Sequence, residues 1–519
     1  MAHLTLFETL EEYNDYVGSE DFVYPNISYC EEDGKVYYKQ VFIKSMSAVF
    51  TIGENDDLTI KIANSLDGVI GEKVDGIVLD KLVKRYTFEE SGQHTVEYQF
   101  ETPTTVPNNL FRQLDNLTSV NLSGITELGD GNLNRCQNMQ SIGTSTLNMN
   151  IGNESLNACN IGDITSLTIN GNVANNSLAF AITSTTITAI TVNGNVGNNN
   201  FNGSGTRATV VTINGNVGNT NFGGCSSTDV YIKGTLGDSN FGGVNTITAM
   251  TIDGNHVGKS NYFFGFDTLH IKGDWDGSGY IQNVKHIIVD GNMGGGVTPG
   301  SGCEDLTVGG NLGDNVFGGA GTISAVTIGG NLGNSCFGGC GPLTEVRIGG
   351  NIGNSNFQNG SHGFRTVIIG TDGDSDTGHV GSGNNFKGDS TYSAEIEIKG
   401  TLGSSNEFSS GASLTISGDV VGSGNYLNYN DVFLGGDIEI GNNISAATSV
   451  TIAENCTSIK SSLSGLTNLT VMATTPPTLG SGVVLTNSQI YVPAAVVDTY
   501  KAATGWSDYA SNIQAIVTS

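Results

Sequence analysis

The chain has 519 residues, of which 74 are glycine and 8 proline, and it carries 21 Lys+Arg against 50 Asp+Glu for a net charge of −29. Glycine at that share, without a strict every-third period, excludes a collagen-like helix and favours a turn-dense fold. Acidity of this degree repels phosphate backbones and anionic bilayers, which excludes nucleic acid as a partner, and no run of eighteen apolar residues offers a membrane-inserting helix.

Residues 1–40 differ in character from the rest of the chain. The opening MAHLTLFETLEEYNDYV is acidic and lacks both a basic start and an apolar core, so it does not read as a secretory signal. Phe7, Leu10, Tyr13, Tyr16 and Val17 suit one face of a short predicted helix. Phe22 to Lys39 reads as extended segments with a turn near Asp33-Gly34. This aromatic-rich piece is either a docking peptide that orders on a partner or an N-terminal cap. The candidates for docking are Tyr24, Tyr29, Tyr37 and Tyr38, since aromatic residues dominate interface hot spots.

Residues 41–107 hold the strand-like runs VFIKSM, AVFTIG, LTIKIA, GIVLD and TVEYQFE. Separated by Gly and Asp turns, they predict a small antiparallel β domain, with a joint from Thr102 to Pro107.

Residues 108–466 are organised by one returning phrase. VTINGNVGNTNFGG (Val211–Gly224) comes back as VTIGGNLGNSCFGG (Val326–Gly339) and VRIGGNIGNSNFQ (Val346–Gln358). The last apolar residue of each opening run, from Ile169 through Ile213, Ile328 and Ile369 to Val471, recurs mostly at steps of about 18 to 21 residues, the signature of a solenoid. The apolar–x–apolar opening predicts a short strand with one buried face. The Gly-Asn pair after each run (Gly215-Asn216, Gly330-Asn331, Gly350-Asn351) predicts a positive-φ corner at the glycine and a ladder of asparagine hydrogen bonds from coil to coil. Phe201, Phe222, Phe241, Phe317, Phe337, Phe357 and Phe408 are expected to stack inside. The outward strand position is often Thr, interrupted by Tyr231, His270, Arg347 and Glu397.

Chemistry-bearing residues are sparse in this sequence. The eight cysteines have no zinc spacing and read as small core or turn fillers. None of the seven histidines has metal spacing. Gly-rich strings such as GSGNNF read as turns, not phosphate loops. Asp372, Asp374 and Asp376 form D-x-D-x-D in the widest insertion, open to reading as a calcium loop or as a solvated acidic loop. Asp253, Asp274, Asp276 and Asp290 are the carboxylates that a glycoside-cleaving groove would draw on. No catalytic residue or cofactor is implied.

Two stretches resemble a known family. Leu117, Val120, Leu122, Leu128, Leu133 and Cys136, within NLFRQLDNLTSVNLSGITELGDGNLNRCQNMQSIG, resemble the leucine-rich repeats of BspA-like surface proteins. Residues 467–519 contain TPPTL (Thr475–Leu479), IYVPA (Ile490–Ala494), YKAATGW (Tyr500–Trp506) and IQAI (Ile513–Ile516). This segment closely resembles the terminal cap of such proteins in Bacteroidetes and their phages. A helix bearing Val496, Val497, Tyr500 and Trp506 is expected to cover the last strand edge. The N-terminal region, with VYPNISY (Val23–Tyr29) and SGQHTVEYQF (Ser91–Phe100), is similar to virion surface proteins of these phages, the crAss-like ones included.

The fold class expected is all-β: a β-solenoid or leucine-rich-repeat-like right-handed coil over 108–466, with a small N-terminal β domain and a short helical C-terminal cap. The resemblance implies a non-enzymatic virion head or tail fibre assembled in the host cytoplasm. Such a fibre is a homotrimer that docks on capsid or tail proteins and presents its solenoid to a host surface glycan or protein. A bacterial cell-surface adhesin and a polysaccharide depolymerase are the alternatives.

Overall fold

The computed structural model describes residues 3–7, 26–30, 35–38, 45–159, 164–178, 188–202, 208–224, 227, 229–243, 247–299, 302–318, 323–341, 343–360, 363–374, 376–387, 393–485 and 489–517. They form two compact units, Met1–Ile187 and Thr188–Ser519.

In the first unit, His3–Phe7 pairs in parallel with Asn26–Cys30, which pairs antiparallel with Lys35–Tyr38. The extended reading of residues 22–39 holds for these two strands. The helix expected around Phe7 does not: Phe7 closes a strand, because Leu4 and Leu6 alternate with period two ahead of it. Leu10, Tyr13, Tyr16 and Val17 lie outside the described residues.

The small β domain is a five-stranded antiparallel sheet in the order Leu117–Val120, Met46–Ile52, Gly92–Phe100, Val69–Val74, Ile77–Val78. Met46, Ala48, Phe50 and Ile52 point into its core and the residues between them are half-buried, as strand alternation requires. This sheet runs across the boundary expected at residue 107, since Leu117–Val120 belongs to it. Parallel stacking also begins early. Thr105–Val106, inside the expected joint, pairs with Glu127–Leu128, which pairs with Asn150–Ile151. Leu110, Phe111, Leu114 and Leu117 are fully buried, and the Phe111 ring meets Tyr98 of the antiparallel sheet edge-on at 5.3 Å.

The second unit is a β-solenoid. Four-residue strands from Ala189–Val192 onward pair in parallel and in register, so that Val211, Val230, Met250, Leu269, Ile287 and Leu306 lie in one inward row. Each of these residues is buried. A second ladder, one or two residues wide, runs through Val217, Leu236, Val257, Trp275, Met293, Leu312, Leu332 and Ile352. Phenylalanines fill the far side. Phe201–Phe222 and Phe222–Phe241 stack at 5.0 and 4.7 Å with rings within 3° of parallel. Phe317, Phe337, Phe357, Phe386 and Phe408 continue the column. No coil buries its apolar edge alone, so stability is a sum of nearest-neighbour terms.

The corner asparagines form the expected ladder: Asn331 Oδ1 accepts the Asn351 backbone N–H at 2.8 Å, as Asn311 Oδ1 does that of Asn331. The corner glycines are there for a different reason from the one expected. Gly215, Gly330 and Gly350 do not take positive φ; a Cβ on Gly330 would lie 2.5 Å from Asn311 Oδ1 and 3.0 Å from the Gly310 backbone. Close stacking, not handedness, excludes a side chain. The left-handed conformation falls instead on Thr220 and Phe222, at φ of 57° and 64°, and on Ser335 and Phe337, at 57° and 56°. In a regular strand, adjacent side chains face opposite ways. The two left-handed residues break that alternation, so Asn221 and Phe222, consecutive in sequence, are both fully buried.

At the C-terminus, Gln489–Val492 adds in parallel to Asn468–Val471 and receives Ile513–Ala515 on its other side. Between them a six-residue helix, Val497–Ala502, buries Tyr500, and Trp506 follows it into the interior. Val496 and Val497 are half-buried.

Candidate recognition surface

The inward and outward rows of the second unit's wide sheet differ in kind. The inward row repeats Val, Ile, Leu or Met, whereas the row facing out reads Thr191, Thr212, Tyr231, Thr251, His270, Ile288 and Thr307 in register. It continues through Thr327, Arg347, Ile368, Glu397, Thr415, Phe433 and Thr451. β-Propensity explains the threonines. It does not require the Arg, Glu, His and exposed Phe. Tyr231 and Phe433 keep 41% and 36% of their surface exposed.

Ionisable side chains on this sheet pair between coils. His270 Nε2 lies 3.1 Å from the Asp290 carboxylate and His286 Nδ1 2.7 Å from Asp305. Lys272 Nζ reaches Asp253 at 2.5 Å and Lys285 Nζ reaches Asp267 at 2.5 Å. The Lys285 ammonium holds the Asp267 carboxyl below its usual range, and Asp267 in turn raises Lys285.

The four carboxylates read as a possible glycosidase set are each engaged. Asp253 and Asp290 hold Lys272 and His270 beside the wide sheet, while Asp274 Oδ1 accepts the Asn292 backbone N–H at 2.6 Å and Asp276 faces His256 at 3.5 Å on the second ladder. Two of the four thus stand beside the wide sheet and two on the second ladder. The D-x-D-x-D carboxylates also diverge. Asp372 binds Lys399 Nζ at 2.7 Å, while Asp374 Oδ1 accepts the Asp376 backbone N–H at 3.0 Å. Lys399, also bonded to Glu397, is raised by both carboxylates. Among the described residues, no three His, Cys, Asp or Glu side chains are grouped to hold a metal ion.

Cys136, Cys303, Cys336, Cys340 and Cys456 are free thiols, buried as Cys159 is, and burial pushes the Cys136 and Cys336 thiols up to about 11. The Cys136 Sγ donates to the Phe111 carbonyl at 3.0 Å and the Cys340 Sγ to that of Phe317 at 3.2 Å. They are fillers, as the sequence suggests. Of the docking candidates, Tyr24 lies outside the described residues. Tyr29, Tyr37 and Tyr38 fall on the paired strands, at Tyr29↔Val36, Ser28↔Tyr37 and Ile27↔Tyr38.

Sequence reasoning missed two features. One is a buried asparagine ladder, one residue before Phe201, Phe222 and Phe241: the Asn200, Asn221 and Asn240 backbone N–H groups donate to Asn221, Asn240 and Asn261 Oδ1 at 2.6, 2.7 and 2.8 Å. The signal was present in the recurring Asn-Phe dipeptide. The other is an outward aromatic cluster at Tyr262, Phe264 and Tyr280, signalled where the sequence reads NYFFG instead of NFGG.

Among the described residues, no helix is long and apolar enough to cross a membrane. None of the curated proteins compared with the chain matches it. The family profile of the BspA type leucine rich repeat region matches residues 81–207 in six copies. The repeat resemblance read near Leu117–Cys136 therefore lies inside a longer matched stretch, which runs into the first Asn-Phe coil at Asn200-Phe201.

Proposed function

We propose that the chain is a non-enzymatic attachment protein of the surface adhesin type, whose solenoid displays a recognition surface to an envelope glycan or protein. The observation that carries this reading is the contrast between rows. The inward positions repeat from coil to coil, while the outward row varies through Tyr231, His270, Ile288, Arg347, Ile368, Glu397 and Phe433 on the same backbone register. Side chains that the coil does not need for its own packing are free to be read by a partner. The BspA-type repeat match over residues 81–207 fits a bacterial cell-surface carrier.

A virion is the second carrier, favoured by the resemblance of the segment Thr475–Ile516 to the terminal caps of Bacteroidetes phage proteins. In that setting the N-terminal segment, with Tyr24, Tyr29, Tyr37 and Tyr38, docks a trimer on capsid or tail proteins.

The test is adhesion of the fluorescently labelled full chain to intact bacterial envelopes, with an unrelated acidic protein as the control. Saturable retention supports attachment, and absence of retention across a broad panel of Bacteroidetes envelopes overturns it. Light scattering then separates the carriers: a stable trimer favours the virion, a monomer the cell surface.

A further inference from the structure

The inward phenylalanine column is broken in one stretch. Phe263 is followed at its paired position by Ile281, and ring stacking resumes with Phe317 and Phe337. In that stretch the arc straightens into strands. Tyr262–Phe264 pairs in parallel with Tyr280–Gln282, which pairs with Thr298–Pro299. Phe263 and Ile281 point in and are fully buried, so alternation turns Tyr262, Phe264, Tyr280 and Gln282 outward. Tyr262 is 47% exposed and the other three are half-buried. The Tyr262 and Tyr280 rings lie 6.4 Å apart at 44°, and the Tyr280 hydroxyl donates to the Gln282 side-chain oxygen at 3.0 Å.

None of the residues in these three strands is charged, on a chain of net charge −29. Among the described residues, the other exposed aromatics have no aromatic partner at the paired position: Tyr231 stands between Thr212 and Thr251, Phe433 between Thr415 and Thr451, and Tyr426 between Glu407 and Asn443.

We infer that this outward sheet is a binding site for an uncharged glycan. The inference rests on the attachment reading and names its ligand class. A sugar ring offers C–H patches to an aromatic face and hydroxyls to amides. Tyr262 and Tyr280, on successive coils, supply two such faces, and Gln282 supplies the amide beside them. The tyrosines bring large contact area at low cost in conformational entropy, because each has only two side-chain torsions. The lack of charge selects against anionic polysaccharide, which the acidity of the surrounding chain repels, and against a basic partner, for which these strands hold no carboxylate.

The test uses the full chain, its Tyr262→Ala/Tyr280→Ala variant and its Tyr262→Phe/Tyr280→Phe variant. The probe is an array of neutral homopolymers of glucose, mannose, galactose and N-acetylglucosamine, read beside envelope adhesion. The expected result is retention on at least one neutral polymer that is insensitive to salt, lost at least about tenfold in the alanine variant and largely kept in the phenylalanine variant. Unchanged melting of the alanine variant shows that the fold is intact. Retention only on charged polymers, retention on none, or equal binding by the alanine variant overturns the site. If the chain adheres to envelopes and the alanine variant adheres equally, this site fails while attachment stands. If the chain does not adhere at all, attachment itself fails.

Discussion

Asn406 joins three coils through one side chain: its Oδ1 accepts the Asn384 backbone N–H at 2.8 Å, and its Nδ2 donates to Gly381 O and to Asn425 Oδ1 at 3.0 and 3.1 Å. The residue is fully buried, so these bonds are made away from water. Asn406→Ala leaves a backbone N–H and a carbonyl without partners, and the expected cost is about 1–3 kcal/mol. Asn356 occupies the same ladder, but its Nδ2 has no partner. Asn356→Ala is therefore expected to cost less. Chemical denaturation of the two variants side by side reads the difference, and equal costs would show that the amide donors do not matter.

The phenylalanine column was legible in sequence because its spacing follows the coil period. The backbone that puts it inside was not. Burying Asn221 and Phe222 together needs left-handed φ at Thr220 and Phe222, residue types that sequence reasoning assigns to ordinary extended backbone. Glycine misled in the opposite direction. Gly330 is needed for closeness to Asn311, a contact between residues of different coils that no local rule carries. The outward surface was legible only as an interrupted threonine row. Which interruptions cluster, as Tyr262 and Tyr280 do, depends on inter-coil register.

Opposite signs are expected at two neighbouring positions. Gly330→Ala forces Asn311 Oδ1, held by the Asn331 N–H at 2.8 Å, out of its ladder, at a cost of about 1–3 kcal/mol. Ser335 sits at φ 57°, where a Cβ is disfavoured by about 1–2 kcal/mol. Ser335→Gly relieves that strain and is expected to leave stability unchanged or raise it. Thermal melting of both variants checks the pair, and a stabilising Gly330→Ala would contradict the close-approach account.

Phe222 stacks between Phe201 and Phe241 and is fully buried. Phe222→Ala is expected to cost about 3–5 kcal/mol. In a solenoid that loss is felt first by the adjacent coils. Hydrogen exchange is expected to speed at the Val210–Ile213 and Asp229–Ile232 strands before it changes near Asn468–Val471. Uniform loss of protection across the second unit would instead mean that its coils melt as one.

Glu72 gives the small β domain a pH dependence. Its side chain is fully buried; Oε2 accepts the Val83 backbone N–H at 2.6 Å and Oε1 has no partner. Burial raises its carboxyl from 4.5 to about 7, against the lowering effect of the Val83 bond. The Tyr98 hydroxyl, paired across the sheet, is spent on Ile62 O. Because the folded state holds this proton more tightly than the unfolded chain, the stabilisation is complete below the unfolded value. It is lost as pH rises towards about 7, amounting to about 3 kcal/mol. Glu72→Gln is expected to flatten the stability profile between pH 5 and 8. A wild-type domain equally stable at both ends of that range would refute it.

Trp506 closes the solenoid. It is fully buried, its Nε1–H donates to Pro477 O at 2.7 Å, and its ring meets Tyr500 edge-on at 5.0 Å. Tyr500 in turn donates to Ala473 O at 2.8 Å, so both rings are pinned to the coil beneath the cap. Trp506→Ala is expected to remove about 3–5 kcal/mol and release the cap. The strand Gln489–Val492, which Ile513–Ala515 otherwise covers, then presents open N–H and C=O groups to other chains. Concentration-dependent association is the expected result, seen by light scattering. Trp506→Phe keeps most of the packing and loses only the bond to Pro477 O, a cost of about 1–3 kcal/mol, without association. If both variants stay dispersed while losing stability, the helix and Trp506 support the last coil but do not guard its edge.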